Sequence, residues 1–293
     1  MPQPLLRSIE FTKMSGAGND FVVVDNRESV VQDATRFAVV LCDRRNGIGA
    51  DGLLLLEKSE CADFTMKYYN ADGSYGGMCG NGGRCISRFA YQKCIVASPQ
   101  LKFEALDHVY GASIGLTGVE LRMKSPVRIS LNKKLELPNG HLLVHFIDTG
   151  SPHCVVFLED NEALGSLSTL NVSSIGKEIR SHNVFLPEGT NVNFVQMIFP
   201  TEIMIRTYER GVEAETLACG TGSVASAIVA AELKNAFAPV AVGVRSGEQL
   251  TVNFKRIAMG SYTDVSLMGS AHIVFEGTVK YNFSLHSIIE VEA

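Results

Sequence analysis

The sequence predicts an α/β (α+β) protein made of two similar halves, each a mostly antiparallel sheet wrapped around one central helix. Short apolar or alternating runs bounded by turn residues are its commonest pattern, and such runs indicate strands. Helix-like segments are fewer. The same order of motifs also occurs twice along the chain, which is the main reason for expecting two halves of one design.

The expected elements follow from hydrophobic periodicity and from turn residues. The clearest strand-like runs are residues 53–57, 119–123, 127–130, 192–198, 250–254 and 271–275. The helix-like segments are residues 34–42, 83–93, 175–181 and 223–234. The second and fourth of these helices each follow a cysteine and a run of glycines, so we expect them to be the two central helices.

Two matched steps make up the repeat. A glycine-containing turn leads into the apolar strand 21–25 in the first half and into 154–158 in the second. A strand then ends nine residues before Cys79 in one half and ten before Cys219 in the other (79 − 70 and 219 − 209). Identity between the halves is low, so the argument rests on the pattern.

The polar stretch 131–140 predicts the boundary between two domains. We expect the first domain to span 1–130 and to carry the first of these cysteines, with 277–293 returning to pack on it. The second domain is expected to span 131–276 and to carry the other cysteine.

Composition excludes several classes of protein. The 293 residues carry a net charge of −5, which argues against a nucleic-acid partner, because phosphate binding needs a basic surface. The N-terminus has no signal-peptide core, and no apolar run approaches the roughly 18 residues of a membrane span. We therefore expect a cytoplasmic protein without a membrane partner.

Seven cysteines are present, an odd number, and no Cys-x-x-Cys occurs. A disulfide framework and a metal site are therefore not expected. Cys79 and Cys219 differ from the others because glycines follow each of them, and glycines let a ligand approach the backbone closely.

A thiol at a helix N-terminus lies at the positive end of the helix dipole, which favours the thiolate. Two such thiols on opposite faces of a carbon acid could remove a proton from one side and deliver one to the other, without a redox cofactor. The backbone N–H groups after Cys79 and Cys219 could hold the substrate carboxylate. His153 and Glu209 are further candidates, since either could relay a proton, and Arg210 could clamp a carboxylate.

The glycine loop 47–52 superficially suggests a dinucleotide site. It lacks the final glycine of the G-x-G-x-x-G spacing, and we expect no βαβ unit around it, so we discount that function.

Taken together, the motifs resemble those of the diaminopimelate epimerases, a family of pyridoxal-phosphate-independent isomerases. The motifs that carry this resemblance are residues 16–21, 43–49, 69–74, 78–85, 150–153, 191–194, 209–211 and 218–222. The resemblance covers nearly the whole chain. It implies an active site in the cleft between two pseudo-symmetric domains, no cofactor, a homodimer, and interconversion of LL- and meso-2,6-diaminopimelate in lysine biosynthesis.

The resemblance also implies roles for single residues. Cys79 and Cys219 match the two acid/base cysteines, and His153 and Glu209 match residues held near them. The residues that match substrate contacts are Asn19, Asn70, Gly80, Asn81, Asn191, Arg210, Gly220 and Thr221.

Three departures from the family pattern concern substrate contacts. Ser151 stands where many members carry asparagine, which removes one amide contact. Gly52 stands where some carry glutamine, and residues 211–216 hold one extra residue.

Other functions remain open at this point. A related racemase acting on histidine, glutamate or proline would use the same two thiols. A cysteine hydrolase using Cys219 and His153 would leave the second thiol without a role. An amino-acid-binding protein without catalysis would not need both thiols.

Overall fold

The computed structural model describes residues 6–138 and 140–292. The chain divides into two compact units, Met1–Leu121 with Gly269–Ala293, and Arg122–Met268. The limits suggested by the sequence, after residues 130 and 276, lie a few residues further along the chain and stay a prediction. The N-terminal residues 1–5, where no signal peptide is expected, and residue 293, the end of the expected returning segment, lie outside the described residues.

The helices and strands follow the chain in three stretches. The first unit begins with β1 (Leu6–Gly16), β2 (Asn19–Asp25), α1 (Ala34–Cys42), β3 (Gly52–Glu57), β4 (Phe64–Asn70), α2 (Gly80–Gln92), β5 (Gln100–Ala105), β6 (His108–Ile114) and β7 (Val119–Arg122). The second unit holds β8 (Val127–Leu137), β9 (Gly140–Asp148), β10 (Pro152–Phe157), α3 (Val172–Arg180), β11 (Asn191–Phe199), β12 (Glu202–Glu209), β13 (Ala214–Thr216), α4 (Gly220–Leu233), β14 (Val240–Gly243), β15 (Gln249–Ala258) and β16 (Ser261–Gly269). The chain then returns to the first unit with β17 (His272–Asn282) and β18 (Ser287–Glu292).

The first unit is a mostly antiparallel sheet. Its strands pair in the order β18, β17, β1, β2, β3, β4, β5, β6 and β7, with parallel pairing only at β2–β3 and at β4–β5 among the described residues. Helix α1 makes the first parallel crossover and α2 the second.

The second unit repeats this topology. Strands β8, β9, β10, β11 and β12 pair in that order, β12 continues to β14 and β15, and β15 pairs with β16. The parallel pairs are β10–β11 and β12–β14, crossed by α3 and α4. The prediction of two similar halves, each a mostly antiparallel sheet with one central helix, is therefore confirmed for the fold of each unit.

Helices α2 and α4 are the central helices. Helix α2 packs against β1, β2, β3, β4, β6 and β17, and α4 packs against β9, β10, β11, β12, β14 and β15. Both are buried along most of their length. Small side chains allow this close packing: a Cβ added at Gly83 would press against Phe103 and Leu121.

Helices α1 and α3 cover the other face of each sheet. Helix α1 begins after Asp33, whose side chain accepts the N–H of Arg36, and buries Phe37 and Leu41 against β3 and β4. Helix α3 begins after Asn171, which caps it in the same way. Each half therefore has a second apolar core outside its sheet.

The described residues of the polar stretch 131–140 lie mostly in strands. Residues 131–137 continue β8, which turns back into β9. Most side chains of β8 are exposed because it is the outermost strand of its sheet, and this explains a polar composition that resembled a boundary. No helix in the described part of the chain is long and apolar enough to cross a membrane.

Gly176 tests how tightly α3 packs on its sheet. A Cβ at this position would meet the Cβ and Cγ atoms of Tyr208, which is buried on β12. We expect Gly176→Ala to lower the free energy of unfolding by about 1–3 kcal/mol, because overpacking outweighs the gain in helix propensity. Chemical denaturation measures this change.

Gly115→Ala is the matched control, since the added methyl would meet only the carbonyl of Gly118 at 3.5 Å, an ordinary contact. Equal stability of Gly176→Ala and the wild type would contradict the packing described for α3.

Candidate active site

Cys79 caps the N-terminus of α2. Its backbone is extended (φ −118°, ψ 120°), and its Sγ accepts the N–H of Gly82 at 3.4 Å. The first helical hydrogen bond runs from Gly83 N to the Cys79 carbonyl, so the N–H groups of Gly80 and Asn81 have no partner within the helix. A half-buried sulfur thus lies beside two N–H groups able to bind an anion.

Cys219 caps α4 with nearly the same backbone (φ −121°, ψ 111°). Its Sγ lies 3.6 Å from Thr221 Oγ1, and its thiol donates to the carboxylate of Glu209. The two caps therefore differ: one sulfur accepts a hydrogen bond from its helix, and the other donates to a carboxylate.

Glu209 lies at the end of β12 and is half-buried. Burial raises the pKa of its carboxyl, while the hydrogen bonds from Thr216 Oγ1 (2.9 Å) and from Cys219 act in the opposite direction. A carboxylate with a raised pKa that accepts from a thiol is suited to exchanging a proton with it.

His153 is fully buried on β10, and burial lowers its pKa to about 3. Its Nδ1 accepts from Asn193 Nδ2 at 3.1 Å, because the amide oxygen of Asn193 already accepts from Thr207. Nε2 therefore carries the proton and donates to Ser151 Oγ at 2.9 Å. The imidazole is held neutral, in one tautomer.

Ser151 joins this histidine to the start of α4. Its hydroxyl donates to Thr221 Oγ1 at 3.3 Å, which in turn lies beside the Cys219 sulfur. The sequence suggested only that Ser151 removes an amide contact. In the structure it connects His153 with the residues at the helix N-terminus.

Asn193 did not emerge from the sequence as a site residue. It fixes the His153 tautomer, and a Cβ added at Gly222 would collide with its amide oxygen. A signal was available, since Asn191 and Asn193 are two residues apart on one strand and so lie on the same face.

Asn191 and Arg210 are brought together. The amide oxygen of Asn191 accepts the Arg210 N–H at 2.9 Å, and its Nδ2 donates to the carbonyl of Pro152. The Arg210 guanidinium donates to the carbonyl of Glu188 at 2.9 Å. Within residues 6–138 and 140–292 it forms no ion pair, contrary to what is common for a surface arginine, so its charge is not neutralised by a carboxylate there.

The first unit brings Asn19 to the start of α2. Asn81 Nδ2 donates to Asn19 Oδ1 at 2.7 Å, one residue beyond Gly80. Asn70, at the end of β4, instead accepts from Tyr68 and donates to Ser74.

The glycine loop 47–52 follows α1 and leads into β3. The expectation of no βαβ unit is wrong, because β2, α1 and β3 form one. The loop nevertheless lies at the wrong end of the crossover, since a dinucleotide loop connects the strand to the helix that follows it. The described residues contain no cluster of three or more His, Cys, Asp or Glu suited to a metal ion.

The chain is similar to known proteins over most of its length. The model of the family described as diaminopimelate epimerase matches residues 11–108 and 145–274. A curated diaminopimelate epimerase of Chlorobaculum tepidum is 44% identical over 91% of this chain and 99% of its own length.

Two solved structures share the fold. A PhzF-family phenazine biosynthesis protein of Bacillus anthracis has a TM-score of 0.69 at 16% identity, covering 93% of this chain and 99% of its own. A probable proline racemase of Agrobacterium radiobacter has a TM-score of 0.66 at 14% identity, covering 92% of each chain.

Acid should destabilise the second unit through two buried histidines. Burial lowers the pKa of His153 to about 3 and that of His145, on β9, to about 4. The unfolded chain binds protons at these groups below pH about 6.5, whereas the folded chain does not until pH 3–4. The stabilisation that comes from keeping both histidines neutral is therefore fully present above pH 6.5. Below that pH the free energy of unfolding decreases by about 1.4 kcal/mol per pH unit for each histidine.

Urea unfolding between pH 7 and pH 4.5 measures this slope. His145→Phe and His153→Gln should each reduce the slope by about 1.4 kcal/mol per pH unit, because each removes one proton that the chain takes up on unfolding. Slopes identical to the wild type in both variants would contradict the lowered pKa values.

Proposed function

We propose that this chain, which belongs to the diaminopimelate epimerase family, interconverts LL- and meso-2,6-diaminopimelate by proton transfer between two cysteines. It is an isomerase, an amino-acid epimerase. One observation carries the proposal. The two halves share the same topology, and in each half a cysteine, Cys79 or Cys219, is the N-cap residue of the central helix. Each sulfur lies beside N–H groups that can bind a carboxylate.

In the direction from the LL isomer, the Cys79 thiolate takes the proton from Cα, and the Cys219 thiol gives its proton to the opposite face of that carbon. The electron pair of the broken C–H bond is delocalised into the α-carboxylate before it forms the new C–H bond. Hydrogen bonds from the helix N-termini, at Gly80, Asn81, Gly220 and Thr221, stabilise that developing charge. The reverse reaction exchanges the roles of the two sulfurs, and no cofactor takes part.

Glu209 and His153 support the cysteine of the second half. The Glu209 carboxylate accepts from the Cys219 thiol, so it can hold the proton when that sulfur must act as a thiolate. His153 stays neutral and orients Ser151 and Thr221 beside the sulfur.

The distal end of the substrate carries a second carboxylate and ammonium group. We propose that Arg210 binds that carboxylate, supported by Asn191 and Asn70. The absence of an ion pair to Arg210 within the described ranges favours this role, because a guanidinium without a carboxylate partner is ready to bind one bidentately. We further propose that the enzyme is a cytoplasmic homodimer that acts in lysine biosynthesis.

Incubation of the reduced protein with LL-diaminopimelate in D₂O, with no added cofactor, tests the reaction. The expected product is the meso isomer with deuterium at the inverted centre, detected by chromatography and mass spectrometry. Folded protein with free thiols that produces neither exchange nor isomerisation would exclude this substrate. Turnover of histidine, glutamate or proline in the same assay would then identify the enzyme as a related racemase.

Removal of either thiol should abolish epimerisation. We expect Cys79→Ala and Cys219→Ala each to lower kcat by about 10³-fold or more, since each stereochemical direction needs both an acid and a base. Cys61→Ala, at an exposed cysteine, should behave as wild type. A near-normal rate in either of the first two variants would exclude the two-base mechanism.

Glu209→Gln should lower kcat by about 10²-fold, because an amide cannot take the proton of Cys219. The loss should decrease as pH rises, since hydroxide then ionises the thiol in place of Glu209. Glu202→Gln, at the opposite end of the same strand, is the control. A pH–rate profile of Glu209→Gln parallel to that of the wild type would count against the proposed relay.

A further inference from the structure

A chain of side-chain hydrogen bonds crosses the N-terminus of α2. Arg84 Nη2 donates to Asn81 Oδ1 at 2.8 Å, and Asn81 Nδ2 donates to Asn19 Oδ1 at 2.7 Å. Asn19 Nδ2 then donates to Asp51 Oδ2 at 2.9 Å. These four residues thus connect the buried side of α2 with the glycine loop 47–52, which contains Asp51.

The two ends of this chain fix its direction. A guanidinium can only donate hydrogen bonds, and a carboxylate can only accept them. Both amides between them must therefore turn their oxygens toward Arg84 and their nitrogens toward Asp51. Each amide nitrogen has two hydrogens and uses one in the chain, so Asn19 and Asn81 each keep one N–H for a ligand.

The Asp51 carboxylate is itself held firmly. Its Oδ1 accepts from Arg44 at 2.8 Å, and its Oδ2 also accepts the backbone N–H of Asp20 at 3.2 Å. Asp20 Oδ1 accepts the Asp51 N–H in return, at 3.0 Å. Asp20 also pairs with Arg44 and with the buried Lys13, and hydrogen bonds from these two cations lower its pKa well below the usual range against the opposing effect of burial.

Among the described residues of the second half, no carboxylate orients a chain of amides at the start of α4, where Glu209 instead accepts from the Cys219 thiol. Thr190, directly before β11, corresponds to Asp51, directly before β3, and its hydroxyl donates to the carbonyl of Asn191 at 3.0 Å. Thr149 contacts the start of α4, by donating to the carbonyl of Thr221. The hydrogen-bonded chain from Arg84 to Asp51 therefore has no counterpart among the described residues of the second unit.

We infer that Asp51 is a positioning residue for the epimerisation: it orients the amides of Asn19 and Asn81 so that both present an N–H to the substrate carboxylate at the start of α2. This inference rests on the proposed function. Without Asp51, the Asn19 amide can turn by 180° and present its oxygen, which repels an anion. Asp51 acts through Asn19 and does not itself touch the reacting atoms.

Asp51→Asn tests this role with almost no change of shape. The new amide oxygen should face Arg44, because a hydrogen bond to a cation is the stronger one. The NH₂ group of the new asparagine then faces the NH₂ group of Asn19. Two donors cannot bond to each other, so the Asn19 amide must turn away. We expect kcat/KM to fall about 10- to 100-fold, the effect of losing one hydrogen bond to a charged group, with little change in thermal midpoint.

A double-mutant cycle separates positioning from a structural role. If Asp51 acts through Asn19, the Asp51→Asn/Asn19→Ala double variant should be no slower than Asn19→Ala alone. Asp107→Asn, an equal change of charge in the exposed turn between β5 and β6, should leave kcat/KM within about twofold of the wild type. A double variant whose loss equals the product of the two single losses would overturn the inference, as would an Asp51→Asn variant as active as Asp107→Asn.

The orientation of Asn19 can also be read without turnover. In protein labelled with ¹⁵N at asparagine, the Asn19 side-chain NH₂ signals are assigned by their loss in Asn19→Ala. The chemical shifts of these signals should change in Asp51→Asn and stay the same in Asp107→Asn. Unchanged shifts in Asp51→Asn would overturn the inference. If the wild type does not act on diaminopimelate, the proposed function fails, whereas these signals still decide whether Asp51 orients Asn19.

Discussion

Each half of this protein depends on the capping of one buried helix. The first N–H groups of a helix have no partner within the helix, and here Gly80 and Gly220, which carry them, are half-buried. Here the residue before each helix is a cysteine, a side chain small enough for that position but a weak partner for an N–H group. The structure thus has N–H groups without a helical partner at two half-buried helix N-termini, each beside a sulfur, and the proposed function uses them to bind a carboxylate.

Close packing around these helices constrains the sequence more strongly than helix propensity does. Glycine costs about 1 kcal/mol in a helix relative to alanine, yet the first turns of both helices are rich in it. At Gly222 a methyl group would collide with Asn193, and at Gly82 it would press on Leu54 at 3.0 Å. These glycines therefore allow the helix to approach its sheet closely.

The sequence predicted the number and order of the helices well because their apolar periodicity is local. Helix 34–42 was predicted with its observed limits. The two central helices begin three residues earlier than expected, since Gly80 and Gly220 resemble loop residues unless the capping cysteine is recognised. Most of the polar stretch 131–140 lies in β8, whose exposed side chains hide the period of two that indicates a strand.

The sequence named candidate site residues from its motifs, but it did not show which partners far along the chain those residues contact. Asp51 bonds to Asn19, 32 residues away, and His153 bonds to Asn193, 40 residues away. Such pairs depend on the parallel crossovers, β2 to β3 and β10 to β11, which bring the starts of two strands side by side. Without the sheet order, Asp51 and Asn193 resemble ordinary polar residues of a turn and a strand.

The return of the chain to its first unit has a consequence for folding. Strand β1 pairs with β17, so that Leu6 lies opposite Asn282. During synthesis the strand pairs from β8–β9 to β15–β16 lie within one continuous segment, Arg122–Met268, so these pairs can form as soon as that segment is made. The first unit must wait for nearly the whole chain, with one side of β1 unpaired. The half that is translated first is therefore the half that is completed last, and its open strand edge is where a nascent chain most needs protection from aggregation.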